Sequence, residues 1–408
     1  MVTQAPGVYV KEVPTGPRAI GAVGTSTAAF VGRAPLKGSH VNEAVACNNW
    51  SQFVKEFTSR DSAGTDLARA VFGFFQNGGG RCYVVNIGDQ DSIAGDARTR
   101  TGLGRLEAID EIAIVAAPGF ADPVSYDALL THCEKLEDRV AILDPPVAVA
   151  NIDALKQVAT LSAAAGGEPE PAAEGSEESA LRPRNSEGGY GAFYFPWITI
   201  RDPLGKGIVN APPSGHIAGI YARTDAARGV HKAPANEAIR GALGLTYRVA
   251  REEQGELNRS GVNCLRYFSN AGIRVWGART LAAEASEWRY INVRRLFNMI
   301  KESIAEGTSW TVFEPNDPTL WQAVTRDVSA FLKTLWLDGA LMGASPAQAF
   351  YVKCDAETNP PEIIDQGRLI VEVGIAPVKP AEFITFRIGQ WAGGTETQTE
   401  GEGGAEES

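Results

Sequence analysis

Histidine and cysteine are both scarce in this chain, with four and five residues among 408. No two cysteines have Cys-x-x-Cys spacing, and histidines, cysteines and carboxylates nowhere form a convincing metal-site cluster. The sequence therefore predicts neither a metal site nor a cofactor. Most of the cysteines lie in apolar surroundings, which indicates buried thiols in a reducing compartment. They are Cys47, Cys82, Cys133, Cys264 and Cys354.

Long apolar runs are missing as well. A membrane-spanning helix needs about 18 to 20 consecutive apolar residues, and no stretch approaches that length. The first residues, MVTQAPGVYVKEV, contain no apolar signal core. We therefore expect a protein that is made and assembled in the cytoplasm without a signal peptide and without direct membrane insertion.

Basic charge does not dominate any part of the chain. The formal net charge is −11, but residues 165–179 and 393–408 each hold five glutamates and no basic residue. Removing these ten charges from −11 leaves −1, so the body is close to neutral and no nucleic-acid partner is expected. Both glutamate-rich stretches are typical of solvated, disordered segments, with an acidic docking role as the alternative.

A glycine-rich stretch, QNGGGRCYVV, raises the question of a phosphate-binding loop. Such a loop runs from strand to glycines to helix, because the helix N-terminus supplies donors to the anion. The order here is reversed: a helix capped by Thr65 ends at Asn77–Gly78, and a strand over Cys82–Ile87 follows. No Gly-Lys-Ser/Thr follows the glycines. The stretch therefore indicates a helix C-cap rather than a nucleotide site.

Continuous apolar runs predict the central sheet. Ala28–Arg33, Ile112–Ala116 and Val140–Leu143 are short and apolar, with a helical pattern over Tyr126–Leu136 between the last two. This is a βαβ pattern, so we expect an α/β fold, with α+β features, in which helices flank a mixed sheet. A further aromatic strand is predicted over 192–200, with Pro196 at an edge or a bulge.

Two long helices are predicted in the C-terminal third. In the first, five apolar side chains recur at alternating spacings of three and four, and the other face carries basic residues. In the second, Asp317 is the N-cap, Pro318 the first residue and Gly339 the end. Apolar stripes of this kind indicate core packing rather than a cofactor pocket. The apolar residues of the first helix are Tyr290, Val293, Phe297, Ile300 and Ile304, and its basic residues are Arg289, Arg294, Arg295 and Lys301.

Isolated strand patterns stand at both ends of the chain. Near the start, VYVKEV lies between Pro6-Gly7 and the prolines of 14–17. Near the end, a strand is predicted over Arg368–Val373, two prolines follow, and FITFRI then alternates cleanly. A lone strand is not stable by itself, so each must join a sheet of its own body or of another molecule.

The sequence contains no convincing catalytic constellation. His132 and Cys133 are neighbours on a helix and point about 100° apart, so they do not form a nucleophile–base pair. Ser214-Gly215-His216 lacks a Gly-x-Ser-x-Gly elbow and favours a turn, and Asp138 with Asp144 makes only a weak metal candidate. We predict no catalytic residue. The alternative is an α/β enzyme that holds a small ligand at the strand ends near Pro118–Gly119 or Pro145–Pro146.

Several of these segments resemble the contractile-tail sheath family. This family includes the sheaths of contractile phage tails, of R-type pyocins and of extracellular contractile injection systems. The similar segments are APGVYVKEV, FFQNGGGRCYVVNI, NAPPSGHIAGIYARTDAARGVHKAPANEAIRG, WLDGALMGASPAQAFYVKCD and GRLIVEVGIAPVKPAEFITFRI. The third is the most specific, although relatives often carry tryptophan at His231. The likeness has gaps at roughly 88–110 and 165–190, and the modest length favours an injection-system sheath.

The resemblance implies a structural protein rather than an enzyme, with four parts. They are an N-terminal arm over 1–22, an α/β core over 23–365, C-terminal strands and an arm over 366–390, and an acidic disordered tail over 391–408. Residues 88–190 of the core are more variable and include an acidic disordered insert at about 165–190. Family subunits extend both arms into neighbouring subunits, where the arms complete a shared β-sheet. The arm residues implied here are Val8, Tyr9, Val10, Lys11, Val13, Phe383, Ile384, Thr385, Phe386, Arg387 and Ile388, with hinges at Pro14, Pro17, Pro377 and Pro380.

The resemblance also implies the partners and the mechanism. Copies of the chain form hexameric rings in a helical polymer around an inner tube protein, with baseplate and cap proteins at its ends and a paralogous sheath protein as a further partner. Contraction drives the tube through a target cell envelope without nucleotide hydrolysis, in a phage tail or a tail-like particle that is released by lysis. For tube contact we expect Arg289, Arg294, Arg295 and Lys301, and the alternative is that these charges are solvated or paired within the chain. A baseplate or adaptor protein on the same fold is a third reading.

Overall fold

The computed structural model describes residues 19–96, 98–159 and 180–384. Within them there are thirteen strands. They are β1 (Ala28–Gly32), β2 (Ala44–Cys47), β3 (Cys82–Asn86), β4 (Ile114–Ala116), β5 (Val140–Leu143), β6 (Gly191–Phe195), β7 (Ile198–Arg201), β8 (Ile208–Ala211), β9 (Gly244–Leu245), β10 (Val262–Phe268), β11 (Gly272–Trp276), β12 (Phe350–Lys353) and β13 (Glu372–Ile375).

The same residues contain nine α-helices and four short 3-10 helices. The α-helices are α1 (Trp50–Phe57), α2 (Asp66–Gln76), α3 (Pro123–Leu136), α4 (Ser214–Arg228), α5 (Arg251–Arg259), α6 (Ile291–Gly307), α7 (Pro318–Leu337), α8 (Pro346–Ala349) and α9 (Pro361–Asp365). The 3-10 helices are Gly102–Ala108, Ile152–Lys156, Glu287–Arg289 and Ser309–Thr311.

An eight-stranded mixed sheet forms the centre of the molecule, in the order β11-β10-β6-β5-β4-β1-β3-β2. The six inner strands are parallel, and the edge strands β2 and β11 are antiparallel to their neighbours. Helices α1, α2 and α4 pack on one face, and α3 and α5 pack on the other. Because both faces are covered, the inner strands are apolar throughout. The predicted α/β fold with a mixed sheet is confirmed, as is the parallel pairing of β4 with β5.

The glycine-rich stretch forms the predicted helix end. The Thr65 side chain caps α2 by accepting a hydrogen bond from the Ala68 amide at 3.3 Å. Asn77 ends the helix, and Gly78 follows with a φ of +113°, a conformation that favours glycine. Strand β3 then enters the sheet between β1 and β2. The helix–glycine–strand order is therefore confirmed.

The predicted aromatic strand over 192–200 is two strands in two sheets. The chain turns at the cis Phe195–Pro196 bond. Before it, β6 lies between β5 and β10 in the middle of the large sheet; after it, β7 is the central strand of a small sheet ordered β8-β7-β9. Proline lacks an amide proton and ends the ladder, so Pro196 separates the two sheets instead of marking an edge or a bulge.

Other local predictions also need correction. Ser214–His216 is not a turn but the first turn of α4. The C-terminal strand begins at Glu372 rather than Arg368, because the Asn359 side chain bonds both backbone groups of Ile370 and replaces a strand partner there.

Residues 180–190, which we assigned to the disordered insert, are packed; Arg182, for example, is buried and donates to the Ser260 carbonyl at 2.6 Å. Residues 160–179 and 391–408, which hold the predicted disordered glutamates, lie outside the described residues.

A second core lies between α6, α7 and the two-stranded sheet of β12 and β13. The Asp317 side chain caps α7 as predicted, accepting from the Leu320 amide at 2.8 Å. The predicted stripe of α7 is buried, and Gly339 ends the helix with a φ of +78°. Ile20 and Val23, near the described beginning of the chain, and the last strand, β13, pack against this core.

Candidate inter-subunit site

The small sheet of β12 and β13 has the form of a docking sheet. The strands are antiparallel, with Phe350 opposite Ile375 and Lys353 opposite Glu372. One face packs on the core between α6 and α7, while Tyr351 is 59% exposed. Among the described residues no third strand pairs with either of them, so each strand has one edge without a ladder. Such edges accept an added strand through backbone hydrogen bonds.

The C-terminal segment leaves this sheet along the body. Pro377 forms a bridge with Leu341, and the Val378 amide donates to the Ala340 carbonyl at 3.3 Å. The Asn292 side chain on α6 donates to the Val378 carbonyl at 3.3 Å. The next side chain to bond the body is Glu382, beyond Pro380. The predicted hinge prolines 377 and 380 therefore lie within a segment that is attached to the body on both sides of Pro380.

Glu382 is held by three side chains. Arg279 donates to both carboxylate oxygens, with Nε–Oε1 and Nη2–Oε2 distances of 3.0 and 2.9 Å. The Asn258 amide and the Tyr290 hydroxyl donate to the same carboxylate at 2.6 and 3.1 Å. Burial raises the pKa of Glu382, but these donors outweigh burial and hold the pKa below its ordinary value. The carboxylate is therefore ionised at neutral pH, and both of its oxygens accept hydrogen bonds.

Beyond Glu382 the described chain leaves the surface. Phe383 is 77% exposed and Ile384 is 72% exposed, and neither lies in a strand within the subunit. Two adjacent apolar side chains in water carry a cost unless another surface covers them. The remaining predicted C-terminal arm residues, Thr385–Ile388, lie outside the described residues, as do the predicted N-terminal arm residues 8–13, Pro14 and Pro17.

The N-terminal segment is attached to the same helix, α6. The Val23 amide donates to the Ser303 hydroxyl at 3.0 Å. Arg295 donates to the Thr25 carbonyl at 2.9 Å and to both oxygens of Asp225 at 3.0 and 2.5 Å. The Thr25 hydroxyl completes the group by donating to Asp225 at 2.6 Å. Helix α6 therefore anchors the described beginning of the chain as well as its described end.

The four basic residues proposed for tube contact do not form one exposed face. Arg294 and Arg295 are 4% and 3% exposed. The Arg294 guanidinium lies 4.1 Å from the Trp288 ring and 4.6 Å from the Tyr190 ring, and its Nε donates to Asn298. For these two residues the expected exposure is wrong, because α6 is buried on more than one face and each guanidinium has partners within the chain.

The other two basic residues are closer to solvent. Arg289 is half-buried at the end of the 3-10 helix Glu287–Arg289, just before α6, and its guanidinium lies 6.0 Å from the Tyr290 ring. Lys301 is about half exposed and pairs with Glu137 at 2.5 Å. Their tube contact stays a prediction. Neither Asp225 nor Glu382 was identified from the sequence as a partner of an arginine, because these pairs join residues 70 and 103 positions apart.

The structure also decides where the weak catalytic candidates lie. His132 and Cys133 are buried on α3, where burial lowers the pKa of His132 to about 4 and raises that of Cys133 far above its ordinary value. The Ser214 hydroxyl donates to Asp144 at 2.6 Å, and burial raises the pKa of Asp144 to about 7 despite this bond. Asp138 instead pairs with Arg139. No group of three or more possible metal ligands occurs in the described ranges.

A cavity of about 640 Å³ opens at the strand ends beside Pro118–Gly119, where the enzyme alternative placed a ligand. Its charged lining side chains bond within the chain: Arg69 to Asp66, and Arg33 to Asp91. No helix in the described part of the chain is long and apolar enough to cross a membrane.

Comparison with known proteins decides the family. The phage tail sheath protein central domain matches residues 169–281, and the phage tail sheath C-terminal domain matches residues 283–390, together more than half of the chain. The sheath of an extracellular contractile injection system, solved as the PVC sheath complex in the contracted state, superposes with a TM-score of 0.75. It is 30% identical, over 96% of this chain and 99% of that one. The chain belongs to the contractile tail sheath family.

Other sheath proteins support this membership. The helical sheath of the anti-feeding prophage in its contracted state gives a TM-score of 0.72 and is 30% identical, over 95% of this sheath chain and 100% of that one. A putative prophage major tail sheath protein of Pseudomonas aeruginosa strain UCBPP-PA14 is 28% identical over 197 residues, which are 47% of this chain and 49% of the relative. The tail sheath protein of Vibrio phage KVP40 is 30% identical over 178 residues, or 43% of this chain and 26% of the relative. The sheath chain thus spans about a quarter to a half of these curated relatives, and none of the comparisons supports the enzyme alternative.

Proposed function

We propose that this sheath-family chain is a structural subunit that polymerises helically around an inner tube, contracts, and drives the tube through a target cell envelope. The observation that carries the proposal is the sheet of β12 and β13, whose two outer edges have no ladder within the described residues. The lone strand patterns at both chain ends supply two strands, and these edges offer two places for them.

Strand addition explains why the product is a polymer. An arm from one subunit meets a different surface on the next, so the contact is heterologous and repeats without closing. Residues 8–13 and 383–388 are the proposed added strands, and alternating side chains set their register. Hexameric rings of such subunits stack into a tube. The polymer has other copies of this chain as its first partner and the inner tube, baseplate and cap proteins as further partners.

The energy for contraction comes from two packings of the same subunits. Assembly on a baseplate and tube leaves the sheath in an extended state of higher free energy, and triggering lets each subunit rotate outward while the strands stay paired. No catalytic residue takes part and no nucleotide is hydrolysed. The particle assembles in the cytoplasm and leaves the cell by lysis.

Electron microscopy of the purified full chain tests this proposal directly, beside a variant that lacks residues 1–16. We expect wide, striated tubes from the full chain and none from the variant, because the variant lacks one added strand. Tubes from both proteins would contradict the role of the N-terminal arm. Rings that do not elongate would favour the baseplate or adaptor reading, and small uniform particles from both, even with tube protein co-expressed, would contradict the sheath proposal.

A further inference from the structure

The two ends of the described chain are attached to the body by arginine–carboxylate pairs of unequal burial. In the N-terminal pair, the side chains of Arg295 and Asp225 are 3% and 6% exposed. In the C-terminal pair, Arg279 is 5% exposed, but Glu382 is 19% exposed. Water reaches the Glu382 carboxylate more easily and can replace its partners when the pair separates. The C-terminal attachment is therefore the one that can open without leaving a dry, uncompensated carboxylate.

Glu382 lies where the C-terminal arm begins, so its attachment to the body bears on the direction of the arm. It is the last described residue whose side chain bonds the body, and the exposed Phe383 follows at once. Two bonds from Arg279 fix the carboxylate in both distance and orientation, because a guanidinium meets a carboxylate in a planar, two-pronged contact. The direction in which the chain leaves the body is therefore set at Glu382 rather than at Pro377 or Pro380.

We propose that the Arg279–Glu382 pair, with Asn258 and Tyr290, is a latch that fixes the root of the C-terminal arm and sets the direction in which it reaches a neighbouring subunit. Glu382 is a positioning residue: it acts through the arm that follows it. Opening the latch frees the segment after Val378 and makes Pro380 its hinge, whereas the bonds of Val378 to Ala340 and Asn292 still hold Pro377 in place. Tyr290 directly precedes α6, which carries Arg295, so the latch adjoins the helix that holds the N-terminal segment.

Attachment itself is tested on the unpolymerised full chain, independently of assembly. Chymotrypsin cuts after Phe383 only when the residues on both sides fit extended into its cleft, which an anchored Glu382 opposes. Glu382→Gln keeps the shape of the side chain and removes its charge. We expect Glu382→Gln to speed cleavage of the Phe383–Ile384 bond, identified by the mass of the fragments, about tenfold, the size expected for loss of a charge-assisted hydrogen bond.

The controls separate loss of the latch from the effect of removing any carboxylate and from the sequence preference of chymotrypsin. Glu362→Gln makes the same chemical change at an exposed position of α9 and should leave the cleavage rate unchanged. The cleavage rate of each protein is divided by the cleavage rate of a synthetic peptide that spans residues 376–390 and carries the same substitution. This division removes any preference of chymotrypsin for the substituted sequence itself. Glu382→Asp keeps the charge on a shorter stem and should restore much of the protection. Equal normalised rates for the native chain and Glu382→Gln would overturn the latch.

The directing role rests on the proposed function and has its own readout. We expect Glu382→Gln to melt within a few degrees of the native chain yet to yield at least tenfold fewer long tubes by sedimentation and electron microscopy. Faster cleavage with undiminished tubes would overturn the directing role and leave the sheath proposal intact. If the native chain forms no tubes even with tube protein, the proposed function fails, while the cleavage rates still decide whether the latch exists.

Discussion

At the scale of single residues, the most unusual side chain is His216. It is fully buried on α4, and neither ring nitrogen has a hydrogen-bond partner among the described residues. Burial lowers the pKa of His216 to about 4, from an ordinary value of 6.5. A buried neutral imidazole of this kind is a packing residue, and the closeness of its ring to Gly73 on α2 shows why glycine stands there.

The pKa of His216 predicts a loss of stability in mild acid. Between pH 6.5 and 4 the unfolded chain binds a proton that the folded chain excludes, so the free energy of unfolding falls as the pH falls through this window. His216→Leu removes the group. Between pH 7 and 4.5 the native subunit should lose about 2 to 3 kcal/mol more than the variant. Urea unfolding of both proteins at both pH values measures the difference.

His132 provides an internal control for this prediction. Its pKa is also lowered to about 4 by burial, and it is present in both proteins, so its contribution cancels in the comparison. Identical pH dependence of the native subunit and His216→Leu would show that the imidazole of His216 is not excluded from protonation in the folded state.

At the scale of elements, α2 and α4 pack closely because glycines face the neighbouring backbone. A Cβ atom added at Gly215 would lie 2.2 Å from the Ala70 carbonyl oxygen, and one at Gly219 would lie 2.4 Å from that of Phe74. Backbone atoms of a helix cannot move aside as a flexible side chain does. The two helices therefore depend on glycine at these contacts to cover the sheet.

Gly215→Ala is expected to destabilise the subunit by about 3 kcal/mol, because the added methyl group forces α2 and α4 apart. The matched control is Gly255→Ala in the exposed helix α5, where an added Cβ meets no atom within 4 Å. That change should stabilise by about 0.5 to 1 kcal/mol through helix propensity. Calorimetric melting of the two variants compares them, and a normal melting temperature for Gly215→Ala would contradict the close helix contact.

At the scale of the whole molecule, the proposed contact with an inner tube needs an exposed surface on the subunit. The burial of Arg294 and Arg295 makes them unsuitable for a test, since changing either leaves buried partners unsatisfied and damages the fold. Arg289 and Lys301 remain testable. The Lys301–Glu137 pair lies at the surface, where such a pair contributes little to stability.

If Arg289 and Lys301 contact the tube, the double change Arg289→Gln and Lys301→Gln should leave the melting temperature nearly unchanged and reduce tube-filled sheaths about tenfold. Co-expression with tube protein and counting of filled and empty particles by electron microscopy measures this. The control, Lys55→Gln with Arg259→Gln, removes the same charge from exposed positions on α1 and α5. Equal filling of both variants would show that the tube meets another surface.

The sequence by itself determined the features that depend on neighbours along the chain. Thr65 and Asp317 cap their helices as predicted, because a cap bonds an amide three residues away. The apolar runs of β4 and β5 and the parallel pairing between them were predictable as well, because the two runs and the helix between them follow one another along the chain. The family was predictable from short segments of distinctive sequence. Each of these sequence patterns lies within a stretch of the chain that covers only a few helical turns or strands.

Only the tertiary structure decided where the polar partners lie. Arg295 donates hydrogen bonds to Asp225 and Thr25, and Arg279 donates to Glu382. These partners are 70 to 270 residues apart along the chain. A helical pattern shows that one face of α6 is polar, but not that the face is pressed against other parts of the same chain. Burial turns such charges from solvated groups into anchors, and burial depends on which surfaces meet when the chain folds.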